Sequence, residues 1–165
     1  MAGIIIYISG SRIFSNTKAA INLASKSFFG EFKGGLVIYS PFEAAYLAEK
    51  CRARIEDINT LKKIEKKDKN FAEKYEVFRN LREKGMIVKE GMKFGADFRV
   101  YEKSHIPGKH HAAYLVYVLE GSKIDAKILA AKARVAHSTA KVLLLAMIDS
   151  EGDINYYEVN WKNLK

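Results

Sequence analysis

The chain has 165 residues, a formal charge of +9 and a pI near 9.5, and 48% of its residues are hydrophobic. That length suits one domain or two small ones, and that apolar share can bury a core, which excludes a disordered chain. No apolar run reaches the roughly 18 residues that a membrane span needs, and the basic excess favours a polyanionic partner, because neutralised phosphates release counterions.

Residues 4–8, an isoleucine-rich run without a basic leader, are too short for a secretory signal and read as a strand. Leu36-Val37-Ile38-Tyr39 reads as another. Ser40-Pro41-Phe42-Glu43 announces a helix: serine caps free N–H groups, proline suits the first turn, and glutamate three residues on completes a capping box. From Asn59 to Lys84 the sequence is strongly helical, with a mixed-charge run at 62–69 that reads as a solvated face. Phe71, Tyr75, Phe78 and Leu81 recur at helical spacing and so face a core. Gly85 ends this helix. A domain boundary is placed near residue 70, giving segments 1–70 and 71–165.

Beyond Gly85 strands are expected at Met86–Val88, Asp97–Tyr101 and His111–Leu119, with a loop containing Pro107-Gly108 between the last two. An alanine-rich helix follows over Asp125–Ala140. The aliphatic run Lys141–Ile148 and the segment Ile154–Trp161 read as the closing strands. The fold class is mixed α/β. The single cysteine, Cys51, leaves no internal disulfide framework and no cysteine-based zinc site, and it suits a reducing cytoplasm. The chain has no glutamine and abundant Lys, Glu and Ile, a composition like that of hyperthermophile proteins.

The order of elements brings three polar residues together. A short loop makes the strand ending at Tyr101 and the strand beginning at His111 antiparallel neighbours. A helical connection then allows a parallel crossover to the strand beginning at Lys141. Tyr101, His111 and Lys141 therefore fall at one end of one sheet. Taken singly, each has a plainer reading: an amphipathic boundary tyrosine, a loop histidine, a solvated lysine at a strand start.

Lys93-Phe94-Gly95-Ala96-Asp97-Phe98-Arg99-Val100-Tyr101 resembles the K-[FY]-G-A-D-F-x-x-Y segment of archaeal tRNA-splicing endonucleases. His111-Ala112-Ala113-Tyr114-Leu115-Val116 is similar to that family's H-[AS]-x-Y-[LV]-V strand. Arg134-Val135-Ala136-His137-Ser138-Thr139-Ala140-Lys141 is similar to its R-V-[AS]-H-S-x-[RK]-K segment. Phe29-Gly30, Glu43-Ala44-Ala45-Tyr46-Leu47 and Leu81-Arg82-Glu83-Lys84-Gly85 resemble its Y-G, E-A-x-Y-L and L-R-x-x-G elements. The likeness is specific over residues 75–165 and looser over 1–74. One departure is Ala140, where the family often has the first of a basic pair.

The resemblance implies a small N-terminal α/β domain serving structure and assembly, and a C-terminal nuclease-like α/β domain with a central mixed sheet. It implies a metal-independent endoribonuclease, without cofactor, that excises introns from precursor tRNA at bulge–helix–bulge motifs. Tyr101 corresponds to the general base that deprotonates a ribose 2′-OH, His111 to the general acid for the leaving 5′-oxygen, and Lys141 to the cation stabilising the transition state. The products would be a 2′,3′-cyclic phosphate and a 5′-hydroxyl. Arg134 matches a position that stacks its guanidinium on a flipped base, against the alternative of a helix-surface arginine. His137 reads as structural, and His110 beside His111 leaves the register of the histidine open by one, with the following Tyr-Leu-Val favouring His111.

The family implies a homotetramer or a heterotetramer with structural paralogues. The last strand offers a pairing edge, and the loop Glu120–Asp125 lies where the family docks an acidic loop into a neighbour. Two alternatives stand beside this reading. One is a non-catalytic structural or RNA-binding subunit of the same assembly. The other is a metal-dependent DNA nuclease, which wants clustered carboxylates around Mg²⁺; Asp97 with Glu102, and Glu65-Lys66-Lys67, are its nearest approaches.

Overall fold

In the computed structural model, which describes residues 3–121 and 123–164, the isoleucine run forms β1 (Ile4–Ser9) and returns as β2 (Arg12–Ser15). Thr17 starts α1 (Lys18–Ser27) by accepting the Ala20 amide at 3.2 Å. β3 (Glu31–Lys33) and β4 (Leu36–Tyr39) follow, then α2 (Pro41–Glu49), β5 (Ala53–Ile55) and α3 (Ile58–Glu65). The capping box read from the sequence is present: Ser40 Oγ accepts the Glu43 amide at 3.1 Å, and Glu43 Oε2 accepts the Ser40 amide at 3.0 Å.

The expected helix over 59–84 is two helices, α3 and α4 (Phe71–Glu83), separated by five residues. Asp68 breaks the run: its carboxylate accepts the Asn70 amide at 3.1 Å and its carbonyl accepts the Phe71 amide at 3.1 Å, a local alternative to the helical ladder. Gly85 ends α4 as expected, at φ 81. The Gly85 amide donates to Arg82 and the Met86 amide to Leu81, so the last carbonyls are satisfied in a Schellman arrangement.

β6 (Ile87–Glu90), a single 3₁₀ turn at Met92–Phe94, and β7 (Phe98–Tyr101) come next. β8 is Tyr114–Val118, three residues later than the expected start at His111. α5 (Ala126–Ser138) is capped by Asp125, and β9 (Val142–Ile148) and β10 (Ile154–Val159) complete the chain. β10 stops before Trp161, whose ring instead lies 5.0 Å from that of His137.

The chain parts into two compact units, Met1–Phe71 and Ala72–Lys165. The first holds a five-stranded sheet in the order β3-β4-β2-β1-β5, antiparallel except where β1 pairs with β5. The second holds a five-stranded sheet in the order β10-β9-β8-β7-β6, antiparallel except where β8 pairs with β9. The fold is thus mixed α/β with two mixed sheets.

Alternation along the strands of the second sheet gives it two faces. One carries Val88, Phe98, Val100 and Val116, and the Phe78 ring of α4 lies 5.9 Å from that of Phe98. The other carries Leu115, Leu143 and Leu145, packed with Ala133 and Ala136 of α5. An alanine-rich helix suits this second face, since small side chains bring the helix axis close to the sheet.

Candidate active site

Tyr101 ends β7 and Lys141 immediately precedes β9. Val100 pairs with Tyr114 in the antiparallel ladder, and Tyr114 pairs with Val142 in the parallel one. Stepping once towards the end of the sheet, Tyr101, Ala113 and Lys141 stand level. Two backbone bonds hold this row: the Ala113 amide donates to Val100 at 2.9 Å, and the Val142 amide donates to Ala113 at 3.0 Å. With strands about 4.8 Å apart, the Tyr101 and Lys141 backbones are about 10 Å apart on the face that α5 covers. His111 lies two residues before Ala113, at the same end. The convergence expected from element order is present in the backbone.

The three side chains are presented differently. Tyr101 is 5% exposed, and its phenol makes no hydrogen bond with any described residue. His111 is exposed and its ring likewise has no partner among the described residues. Lys141 is half-buried: its Nζ donates to the Thr139 carbonyl at 2.8 Å and lies 5.0 Å from the centre of the Phe94 ring. Ala140, at φ 53, adopts the left-handed conformation after α5, and the Lys141 amide donates back to Ala136 at 2.8 Å. The helix end therefore sets where the ammonium emerges. Arg134 is exposed in the last turns of α5, seven residues before Lys141.

The structure separates the two adjacent histidines. The His110 Nδ1 accepts the Ile106 amide at 2.9 Å, which engages that ring in closing the loop, whereas His111 is unengaged. Around the same loop, Tyr114 donates to Glu102 at 3.2 Å, and Glu102 lies 3.6 Å from the His105 ring nitrogen. Burial and the bond to Glu102 raise the Tyr114 phenol above its ordinary pKa.

Phe94 and Lys132 have roles that the sequence reading did not reach. Phe94 packs against the core cluster beneath α5 while facing Lys141. Lys132 donates to the Gly95 carbonyl and sits 3.9 Å from the centre of the Tyr117 ring. Desolvation lowers the Lys132 ammonium, against the pull of Asp97. The only sequence signal for Phe94 was its place in the aromatic-glycine segment, and a pairing 47 positions apart with Lys141 leaves no local pattern.

Other residues of interest are structurally engaged. Asp97, one of the carboxylates weighed for a metal, accepts the Val118 amide at 2.8 Å and pairs with Lys74 at 3.2 Å. Glu65 lies at the end of α3, in the other compact unit. Among the described residues no three His, Cys, Asp or Glu side chains gather as a metal-holding group. In the loop Glu120–Asp125, the Asp125 carboxylate caps α5 by accepting the Lys127 and Ile128 amides at 2.8 and 3.1 Å; Ser122 lies outside the described residues.

The Ala72–Lys165 unit is thus a mixed α/β domain that brings Tyr101 and Lys141 level at one end of its sheet. Residues 71–156 match the family model described as tRNA intron endonuclease, catalytic C-terminal domain. A tRNA-splicing endonuclease of Pyrococcus furiosus is 40% identical over 164 residues, 94% of each chain. That of Thermococcus kodakarensis is 37% identical over 167 residues, covering 96% of this chain and 98% of the relative. That of Methanothermobacter thermautotrophicus is 39% identical over 151 residues, covering 88% and 89%. The chain belongs to the tRNA intron endonuclease family.

Proposed function

We propose that this chain is a catalytic subunit that excises introns from precursor tRNA, cutting at bulge–helix–bulge motifs without a metal ion or cofactor. The observation that carries the reading is the level row of Tyr101 and Lys141 across β7, β8 and β9, with His111 opening the path into β8 at the same end. RNA carries its own nucleophile, so cleavage needs positioning, two proton-transfer groups and charge stabilisation.

In the proposed step Tyr101 takes the proton of the ribose 2′-OH as its oxygen attacks the adjacent phosphorus. The bond between phosphorus and the 5′-oxygen breaks, and His111 protonates that oxygen. A 2′,3′-cyclic phosphate and a 5′-hydroxyl result. Lys141, on the same face, offers its ammonium to the phosphorane oxygens. Its partners, one carbonyl and one ring face, leave the positive charge uncancelled by any carboxylate among the described residues.

Arg134, exposed on the helix that leads to Lys141, would stack on a flipped bulge base. The Met1–Phe71 unit would serve structure and assembly, and the Ala72–Lys165 unit catalysis. Two cuts per intron require two catalytic copies, as a homotetramer or as a heterotetramer with structural paralogues. The single cysteine suits a cytoplasmic setting.

The test incubates the purified chain, in excess EDTA, with an intron-containing precursor tRNA transcript and maps the ends. Paired cuts at the bulges leaving cyclic phosphate are expected, with addition of a structural paralogue if the chain alone is silent. Cleavage only with Mg²⁺, or none even with the paralogue, contradicts the proposal.

A further inference from the structure

The nine residues between Tyr101 and His111 join the proposed base to the proposed acid, and they are tied together by more than chain connectivity. His110 is bonded to Ile106 twice. Its backbone amide donates to the Ile106 carbonyl at 2.9 Å, and its ring Nδ1 accepts the Ile106 amide at 2.9 Å. This reciprocal pair closes the turn containing Pro107 and Gly108, the latter at φ 90. The His105 ring stands edge-on to that of His110, with centroids 5.0 Å apart. Its Nδ1 is 3.6 Å from Glu102 Oε2, and Glu102 Oε1 accepts the Tyr114 hydroxyl at 3.2 Å.

A run of contacts therefore passes from Tyr114, through Glu102 and His105, to His110 and Ile106. Its anchors are the residue after Tyr101 and the first residue of β8. The residue following the His110 clamp is His111, whose side chain makes no hydrogen bond with any described residue. A general acid must sit within hydrogen-bond reach of its target, and a misplacement of about 1 Å can cost about 100-fold in rate.

We infer that His110 is a positioning residue: by accepting the Ile106 amide at Nδ1 it closes the β7–β8 turn and thereby sets the place of His111. This rests on His111 acting as the general acid. Accepting at Nδ1 puts the ring proton on Nε2, so the clamp needs an acceptor at one particular distance from the backbone. Asparagine Oδ1 occupies nearly the position of histidine Nδ1, whereas glutamine places its acceptor one bond further out. The two amides are alike in polarity and charge, so they separate geometry from the rest.

The experiment measures single-turnover cleavage of an intron-containing precursor tRNA transcript, in EDTA, at saturating enzyme, together with the half-saturating enzyme concentration and the Tm. Wild type, H110A, H110Q, H110N and H111A are compared. H110A and H110Q should cleave about 10-fold or more slowly with half-saturation changed by less than about 2-fold, and H110N should recover to within about 3-fold of wild type. Long-range ¹⁵N correlation should show His110 as the Nε2–H tautomer. If H111A is inactive while H110A and H110Q match wild type, the positioning role is overturned and the acid survives. If H110N is as slow as H110Q, the bond to Ile106 is not what matters and the inference is likewise overturned. If H111A cleaves at the wild-type rate, the acid assignment itself falls and takes the inference with it.

Discussion

The Lys141 ammonium lies 5.0 Å from the centre of the Phe94 ring. A quadrupole face attracts a cation without neutralising it, by about 0.5–1 kcal/mol where solvent has access and about 2 kcal/mol where it does not. A carboxylate in the same place would hold Lys141 more strongly but would cancel the charge offered to a phosphorane. An aromatic support keeps the side chain in place and the charge available.

Phe94→Leu keeps apolar volume and removes the ring. In a double-mutant cycle with Lys141→Met, denaturant unfolding should show a favourable coupling of about 0.5–1 kcal/mol. Phe94→Tyr should retain it. Additive effects of the two substitutions would mean that the ring and the ammonium do not interact.

Glu43 is 4% exposed, and its carboxylate accepts two backbone amides, Gly30 at 2.9 Å and Ser40 at 3.0 Å. Glu43→Ala leaves both amides without that acceptor and should cost about 2–4 kcal/mol. Gly30 is held at φ 76, and a Cβ there would lie 2.4 Å from Val37 Cγ1 and 2.9 Å from the Ile38 carbonyl. Gly30→Ala should therefore cost a comparable amount. Both losses are measured by urea unfolding, and a loss below about 0.5 kcal/mol for either would contradict this account of the N-terminal unit.

Burial pushes the Tyr156 phenol up to about 12, while its hydroxyl donates to Asn80 at 3.0 Å. A raised folded-state pKa favours the protonated form, so its contribution to stability is complete below about 10, the unfolded value. It is lost as pH rises from there through about 12. Thermal melts between pH 9 and 12 should show wild type losing more stability than Tyr156→Phe; parallel curves would contradict the assignment.

How far the sequence could be read varied with the range of the forces involved. α2 was legible because Ser40, Pro41 and Glu43 are a local capping signal, and β9 because an unbroken aliphatic run between two helix-facing layers has few other uses. The end of α4 was legible in Gly85. The interruption between α3 and α4 was not, because Lys66, Lys67 and Lys69 favour helix and only the Asp68 side chain competes for the backbone. β2, β3 and β5, of three or four residues each, were missed because such short segments carry no period; their pairing partners define them. His111–Ala113 looked like strand by composition, yet the ladder starts at Tyr114, after the turn that His110 closes.

The site followed the same division. The level row of Tyr101 and Lys141 follows from element order, an antiparallel loop and a parallel crossover, which the sequence contains. The Phe94 ring under Lys141 and the Nδ1 acceptor of His110 depend on tertiary placement, which it does not. The family elements Phe29-Gly30 and Glu43–Leu47 acquire a physical meaning only in the fold. There the Glu43 carboxylate binds the Gly30 amide, and the Phe29 and Tyr46 rings stack with centroids 5.5 Å apart.

Tyr101, His111 and Lys141 are proposed to act as one catalytic unit on RNA. Single-turnover cleavage of a precursor tRNA transcript in EDTA tests it most directly, using Tyr101→Phe, His111→Ala, Lys141→Ala and the triple variant. Each single substitution should slow cleavage by about 100-fold or more with RNA binding retained, and the triple should be little slower than the worst single. Wild-type rates in any of the three, or losses that multiply as though the residues were independent, would contradict it.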